Sequence, residues 1–184
     1  ALLDEQQADL VIGPLYSEQA RAAAEVAEQR GVVLVAPLAT DERVSEGRRF
    51  VFQANPTLTV RGELMARMAV YGLRLDSIGV VAQFGDPTAE RMAEAFQAEV
   101  LRLEAAVPFY KLLPSAQAWA QLVQHIGRDT LARVQALYLP LSGANAPVLA
   151  RAALSSLDRS GLTLRVLGNA AWREIGRASC RERV

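Results

Sequence analysis

Residues 8–41 read ADLVIGPLYSEQARAAAEVAEQRGVVLVAPLATD and spell a strand, a turn, a helix, a second strand and a polar turn. Leu10-Val11-Ile12 is a short apolar run halted by Gly13-Pro14, the pattern of a strand buried on both faces. Ser17 stands where a helix N-cap belongs, and Ala20, Ala23, Ala24 and Ala27 recur at the spacing of one buried helical stripe. Arg30-Gly31 ends that helix with a cation in its last turn and a residue that tolerates left-handed backbone. Residues 32–36 form the next buried strand, and Pro37 opens the turn beyond it. Two parallel strands joined by a helix make a right-handed βαβ unit, and ligands of such sheets lie at the loops leaving the carboxyl ends of the strands. Those loops are residues 13–17 and 37–41 here.

The alternation continues outward from this unit. Residues 50–54 read as a third strand leading into Asn55-Pro56-Thr57, and the helix after it carries Val60, Leu64, Met68 and Tyr71 on one expected buried face, ending at Gly72. Residues 78–82 are another buried strand, followed by Asp86-Pro87, a cap and first-turn proline that start a helix with Met92, Phe96, Val100 and Leu103 inward. Residues 107–110 contain Pro108, which assigns that strand to a sheet edge or a strand start. A helix with Trp119, Leu122, Val123 and Ile126 inward comes next. It precedes a strand at 134–139, the polar turn Ser142-Gly-Ala-Asn145, a helix stopped by Gly161, and a last strand at 164–167 with its exit loop at 168–172. The strands of this second half start about 29 residues apart but share no consensus, so βα alternation explains the spacing and a solenoid does not. The rhythm breaks between Thr40 and Pro56. Residues 1–55 are therefore read as part of one lobe and residues 56–173 as a second.

Composition removes several classes of function. The last eleven residues, 174–184, resemble the in-frame translation of a sequencing adapter and are set apart as a non-native tail, which takes the single cysteine, Cys180, with it. No disulfide framework, thiolate nucleophile or Cys-based metal site then remains. Without the tail, 17 basic residues face 18 acidic ones, and so balanced a chain gives no electrostatic case for nucleic acid or an anionic membrane. Half the residues are apolar, ample for one core or two small lobes, yet no apolar run approaches the roughly 20 residues of a spanning helix. The chain starts without Met in what reads as the end of a helix, residues 1–7, so both ends look cut.

Enzyme signatures fail in turn. No G-x-G-x-x-G follows a strand, no phosphate loop surrounds the only lysine, Lys111, and no G-x-S-x-G elbow occurs. His125 is the only histidine and has no nucleophile in view, so it reads as a surface residue. No catalytic residue, metal site or cofactor is assigned. The polar residues at the strand exits are different. Ser17 either caps its helix or, with Tyr16 and the free backbone N–H groups of that helix start, seats an anion. Ala39-Thr40 puts a small residue and a hydroxyl on the neighbouring loop, or forms a surface turn. Asp86, Thr88, Ser142, Asn145 and Trp172 sit at matching exits in the second half, where each also has a reading as a cap, a turn or a core filler.

The segments IGPLYS, VAPLATDE, FVFQANPT, IGVVAQFGD, ALYLPLSG and LRVLGNAAW occur in the order seen in the type I periplasmic-binding-protein fold. Together they resemble the branched-chain amino-acid binding proteins of ABC transporters over residues 8–172. The resemblance implies an α/β protein of two lobes, parallel sheets flanked by helices, that closes over a small ligand; the opening strands and the return to the first lobe would be missing. It implies that Ser17 and Ala39-Thr40 hold a ligand carboxylate. In the second lobe, the aromatic expected after the strand at 78–82 is read as missing from residues 83–89, an aromatic expected after Leu139 is replaced by Leu141-Ser142, and the acidic residue expected to hold an α-ammonium falls at about Ala170. The implied function is a solute receptor, periplasmic or extracellular and in some forms lipid-anchored, binding a small polar solute such as an amino acid or amide. Its implied partner is a membrane permease, with no nucleic acid, membrane span or cofactor. The alternative on the same fold is an interaction module similar to lipoprotein activators of peptidoglycan synthases, whose GPL segment matches Gly13-Pro14-Leu15.

Overall fold

A computed structural model describes residues 8–169 together with 171 and 172, so the tail at 174–184, the start at 1–7 and Ala170 lie outside the described residues. The chain divides into two compact units, residues 1–61 and 62–184.

In the first unit, strands β1 (Leu10–Ile12), β2 (Val33–Ala36) and β3 (Val51–Gln53) form a wholly parallel sheet in that order. Helix α1 (Ser17–Arg30) crosses between β1 and β2 and buries Ala20, Ala24 and Ala27 against Leu34, Ala36 and Val51. Alanine at these positions lets the helix lie close to the sheet at little side-chain entropy. Gly31 adopts the left-handed conformation that ends the helix, φ 67°, as the sequence implies. β1 departs from expectation. Val11 packs toward α1, but Leu10 and Ile12 are 52% and 74% exposed. Alternate residues of a strand face opposite sides, and α1 covers only one of them.

Helix α2 (Leu58–Arg67) spans the division between the units and runs into a π-helical turn at Met68–Gly72. Its expected inward face is the exposed one: Val60, Leu64, Met68 and Tyr71 all lie on the surface, while Gly62, Ala66 and Ala69 are buried. Close approach is the reason. A Cβ on Gly62 would sit 2.5 Å from the Met92 carbonyl oxygen and 2.9 Å from the Phe96 nitrogen, so the helix meets its neighbour through its smallest residues.

The second sheet has the order β5-β4-β6-β7, again all parallel, with β4 (Ile78–Gln83), β5 (Tyr110–Leu113), β6 (Ala136–Tyr138) and β7 (Arg165–Leu167). β4 is buried from Ile78 to Ala82, and helix α3 (Pro87–Arg102) packs Met92, Phe96 and Val100 inward as the spacing predicts, with Phe96 stacked on Tyr138 at 4.1 Å. β5 takes the edge position assigned from Pro108 but begins at Tyr110. Pro108 has no N–H to give a ladder, and ahead of it only a single bridge, Ser77 with Ala106, joins this segment to the sheet. The helix around Trp119 is broken into α4 (Ala116–Ala120) and α5 (Leu122–Ile126) at Gln121, with α6 (Arg128–Leu131) after Gly127, φ 93°. Trp119, Leu122 and Ile126 still face the core. Helix α7 (Ala146–Ser160) completes the second face and stops at left-handed Gly161.

One ion cluster, its carboxylate buried and its two guanidinium groups exposed, ties α2 to α3. Glu99 is only 5% exposed and receives Arg67 Nε and Arg102 Nε at 2.6 Å each, with Arg102 Nη2 at 2.7 Å. The hydrogen bonds from Arg102, then those from Arg67, hold its carboxyl at about 2, well below the usual carboxylate range.

Candidate functional site

The carboxyl ends of the strands in each unit carry polar loops, and side chains of those loops link one to the next. In the first unit, Ser17 is the first helical residue, not the cap. Exposed Tyr16 takes the cap position with extended backbone and no side-chain bond to the helix. Released from capping, the Ser17 hydroxyl oxygen accepts from the Thr40 N–H at 3.1 Å and the Asp41 N–H at 3.3 Å, which joins the β1 exit to the β2 exit. Ala39 turns its methyl into the core, so its backbone alone is available to the loop. The Asp41 carboxylate caps the short 3-10 turn Glu42–Val44 by accepting from the Arg43 N–H at 3.0 Å, and it takes the Arg43 guanidinium on both oxygens. Those side-chain hydrogen bonds hold the Asp41 carboxyl below its ordinary value and raise that of Arg43.

In the second unit, β4 is followed in chain order by β5 on one side and β6 on the other, so the sheet's connectivity reverses between β4 and β6. The exits of those two strands are where a ligand crevice opens in such sheets. They meet through Asp86 and Ser142. Asp86 Oδ1 accepts from the Thr88 and Ala89 N–H groups at 3.0 Å each, capping α3, and its Oδ2 accepts from the Ser142 hydroxyl at 2.5 Å. Thr88 thus enters this arrangement through its backbone. Asn169, at the β7 exit, donates to the Leu141 carbonyl at 2.7 Å and accepts from the Ala171 N–H, extending the chain of contacts to a third loop. Trp172 closes over Gly168, where a Cβ would lie 2.5 Å from the indole ring, and its ring nitrogen is buried without a hydrogen-bond partner. Gln83, at the end of β4, accepts from the indole N–H of Trp119 at 2.5 Å, and Phe84 beside it is exposed.

The structure thus brings Ser17 to residues 40 and 41, and Asp86 to Ser142. Gln53 at the end of β3, with Asn55 and Asn169 on the exit loops, is absent from the expected site residues, and exposed Phe84 is an aromatic within residues 83–89, where the expected aromatic is read as missing. Gln53 alone carried a signal, a polar side chain closing the apolar strand Val51–Gln53. The acidic position expected near Ala170 lies outside the described residues. Among the described residues no group of three or more His, Cys, Asp and Glu could hold a metal ion, and no helix is long and apolar enough to cross a membrane.

No protein-family model and no curated protein matches the chain; the likeness is to solved structures. The chain is similar to a putative branched-chain amino acid ABC transporter from Rhodospirillum rubrum, at 23% identity and TM-score 0.78, over 92% of this chain and 47% of that one. It is similar to the leucine-binding protein LivK from Thermotoga maritima, at 20% identity and TM-score 0.63, over 93% and 47%. A third likeness is to a solute-binding protein of an ABC transporter from Rhodopseudomonas palustris in complex with p-hydroxybenzoic acid, at 13% identity and TM-score 0.65, over 94% and 46%. The chain therefore has the type I periplasmic-binding-protein fold and spans about half the length of the structures it matches.

Proposed function

We propose that this chain is the solute-binding part of an ABC transporter substrate-binding protein, working by binding without bond-making. Tyr16, Ser17, Ala39 and Thr40 from the first unit and Asp86, Thr88, Ser142 and Trp172 from the second are its candidate solute contacts. The observation that carries the reading is the tying together of adjacent strand exits, Ser17 to Thr40 and Asp41 in one sheet and Asp86 to Ser142 at the reversal point of the other. Ser17 Oγ spends its lone pairs on two N–H groups, which leaves its proton for a solute oxygen. The solute is a small polar molecule, and the neighbours' ligands, leucine-type amino acids and hydroxybenzoates, suggest one bearing a carboxylate. A solute that binds the closed form better than the open one shifts the protein toward closure by that differential affinity, and a membrane permease reads the closed form. Such a protein works outside the cytoplasmic membrane, in the periplasm or at the cell exterior. Isothermal titration of the full-length protein with L-leucine, acetamide and 4-hydroxybenzoate tests this. Saturable binding of one of them supports the reading, and silence with all three counts against it. A second reading, an interaction module on the same fold whose crevice takes no solute, draws on the replacement of the expected aromatic after Leu139 by Leu141-Ser142.

A further inference from the structure

We infer that Gln53 and Asn55 are positioning residues, which set the loop at residues 38–41 in its solute-ready shape without touching the solute. The inference rests on the receptor reading, since it concerns the loop that reading assigns to the solute. Its ground is the accounting of the loop's backbone. The Leu38 carbonyl accepts from Asn55 Nδ2 at 3.2 Å, and the Ala39 and Asp41 carbonyls accept from Gln53 Nε2 at 3.0 and 3.1 Å. The Thr40 carbonyl accepts from the Leu58 N–H at 3.1 Å. Four consecutive carbonyls are therefore held by residues 53–58, the segment leaving β3, while Ser17 holds the N–H groups of residues 40 and 41 from the other side.

The Gln53 carboxamide is itself fixed. Both of its N–H bonds are used, and its oxygen accepts from the Ser45 hydroxyl at 2.6 Å, so it can rotate only by breaking three bonds together. Asn55 is fixed in the same way, its oxygen accepting from Arg61 Nη2 at 3.1 Å. A loop of this kind, gripped along one side by side chains of the next strand exit, is pre-organised, and the hydroxyls of Ser17 and Thr40 keep their spacing before any solute arrives. Removing the grip leaves the contacting groups in place but populates loop shapes in which they do not converge. The apparent affinity then falls by the fraction of molecules still in the competent shape.

The test is stopped-flow binding on the full-length protein, using L-leucine or 4-hydroxybenzoate, whichever the wild type binds more tightly, alongside thermal melting. Gln53→Met keeps the length and removes all three hydrogen bonds. The association rate constant is expected to fall about tenfold with the dissociation rate constant unchanged, alongside a loss of a few degrees in melting temperature for the three broken hydrogen bonds. Asn55→Ala, which removes the Leu38 tether and the Arg61 contact, gives the same signature at about threefold, and it serves as the test if Gln53→Met does not fold. A faster dissociation at unchanged association would make Gln53 a solute contact and overturn the inference while leaving the receptor reading intact. A lower melting temperature at unchanged rates would make it a purely structural residue, with the same consequence. If the wild type binds neither probe, the receptor reading fails and the inference fails with it.

Discussion

Asp86 illustrates how one carboxylate can do two separable jobs. One oxygen caps α3 and the other receives the Ser142 hydroxyl. Asparagine caps nearly as well as aspartate, because its carbonyl oxygen accepts from the same two N–H groups, whereas alanine leaves them without a partner. Asp86→Ala is thus expected to lower unfolding stability in urea by about 2 kcal/mol, and Asp86→Asn by less than about 1 kcal/mol. The double mutant of Asp86→Ala with Ser142→Ala should fall short of the sum of the two single losses by about 1 kcal/mol, a coupling that strict additivity would contradict. The sequence shows Asp86 as a cap because Asp-Pro at a helix start is a local signal. It cannot show the Ser142 partner, 56 residues away, since that depends on β4 and β6 being neighbours. Ser17 shows the reverse case. Its position at a helix start is legible, but the cap reading is displaced by two N–H groups from another loop.

Among the elements, α2 marks where hydrophobic periodicity misleads. Val60, Leu64, Met68 and Tyr71 keep helical spacing and are the larger side chains, yet the buried stripe is Gly62, Ala66 and Ala69. Size indicates which face could bury more area; the space available between α2 and α3 decides which face fits. A glycine inside a helix followed by alanines at spacings of four and three was the sign of close packing. Gly62→Ala would gain about 1 kcal/mol of helix propensity. The added Cβ would meet the Met92 oxygen and Phe96 nitrogen, backbone atoms with no room to yield, and such overpacking costs about 1–3 kcal/mol. Net destabilisation in urea is therefore expected, and a more stable variant would show that the two helices part freely. The Glu99 cluster at the same junction makes stability pH-dependent. Its carboxyl is held at about 2 when folded, below its ordinary value of 4.5, so its full contribution is present above pH 4.5 and is lost as pH falls toward 2. Glu99→Gln should melt below the wild type at pH 7, with the gap narrowing at pH 3. A gap independent of pH would contradict this assignment.

For the whole molecule, the α/β alternation, the parallel sheets and the order of the loops were legible because the strands are short and mainly apolar and are set between glycine, proline and polar turns. What the sequence withheld was the cross-linking of those loops, which depends on residues such as Gln53 and Asn169 that look ordinary where they stand. The receptor account asks that this cross-linked rim serve a solute. The measurement that reaches it most directly is calorimetric titration of the full-length protein with L-leucine and 4-hydroxybenzoate, in parallel for the wild type and for Ser17→Ala. Saturable binding of one of them by the wild type is expected, with an at least tenfold larger dissociation constant for Ser17→Ala, about the loss of one hydrogen bond to a charged group. Equal affinity in the two proteins, or heat from neither, would contradict the receptor account.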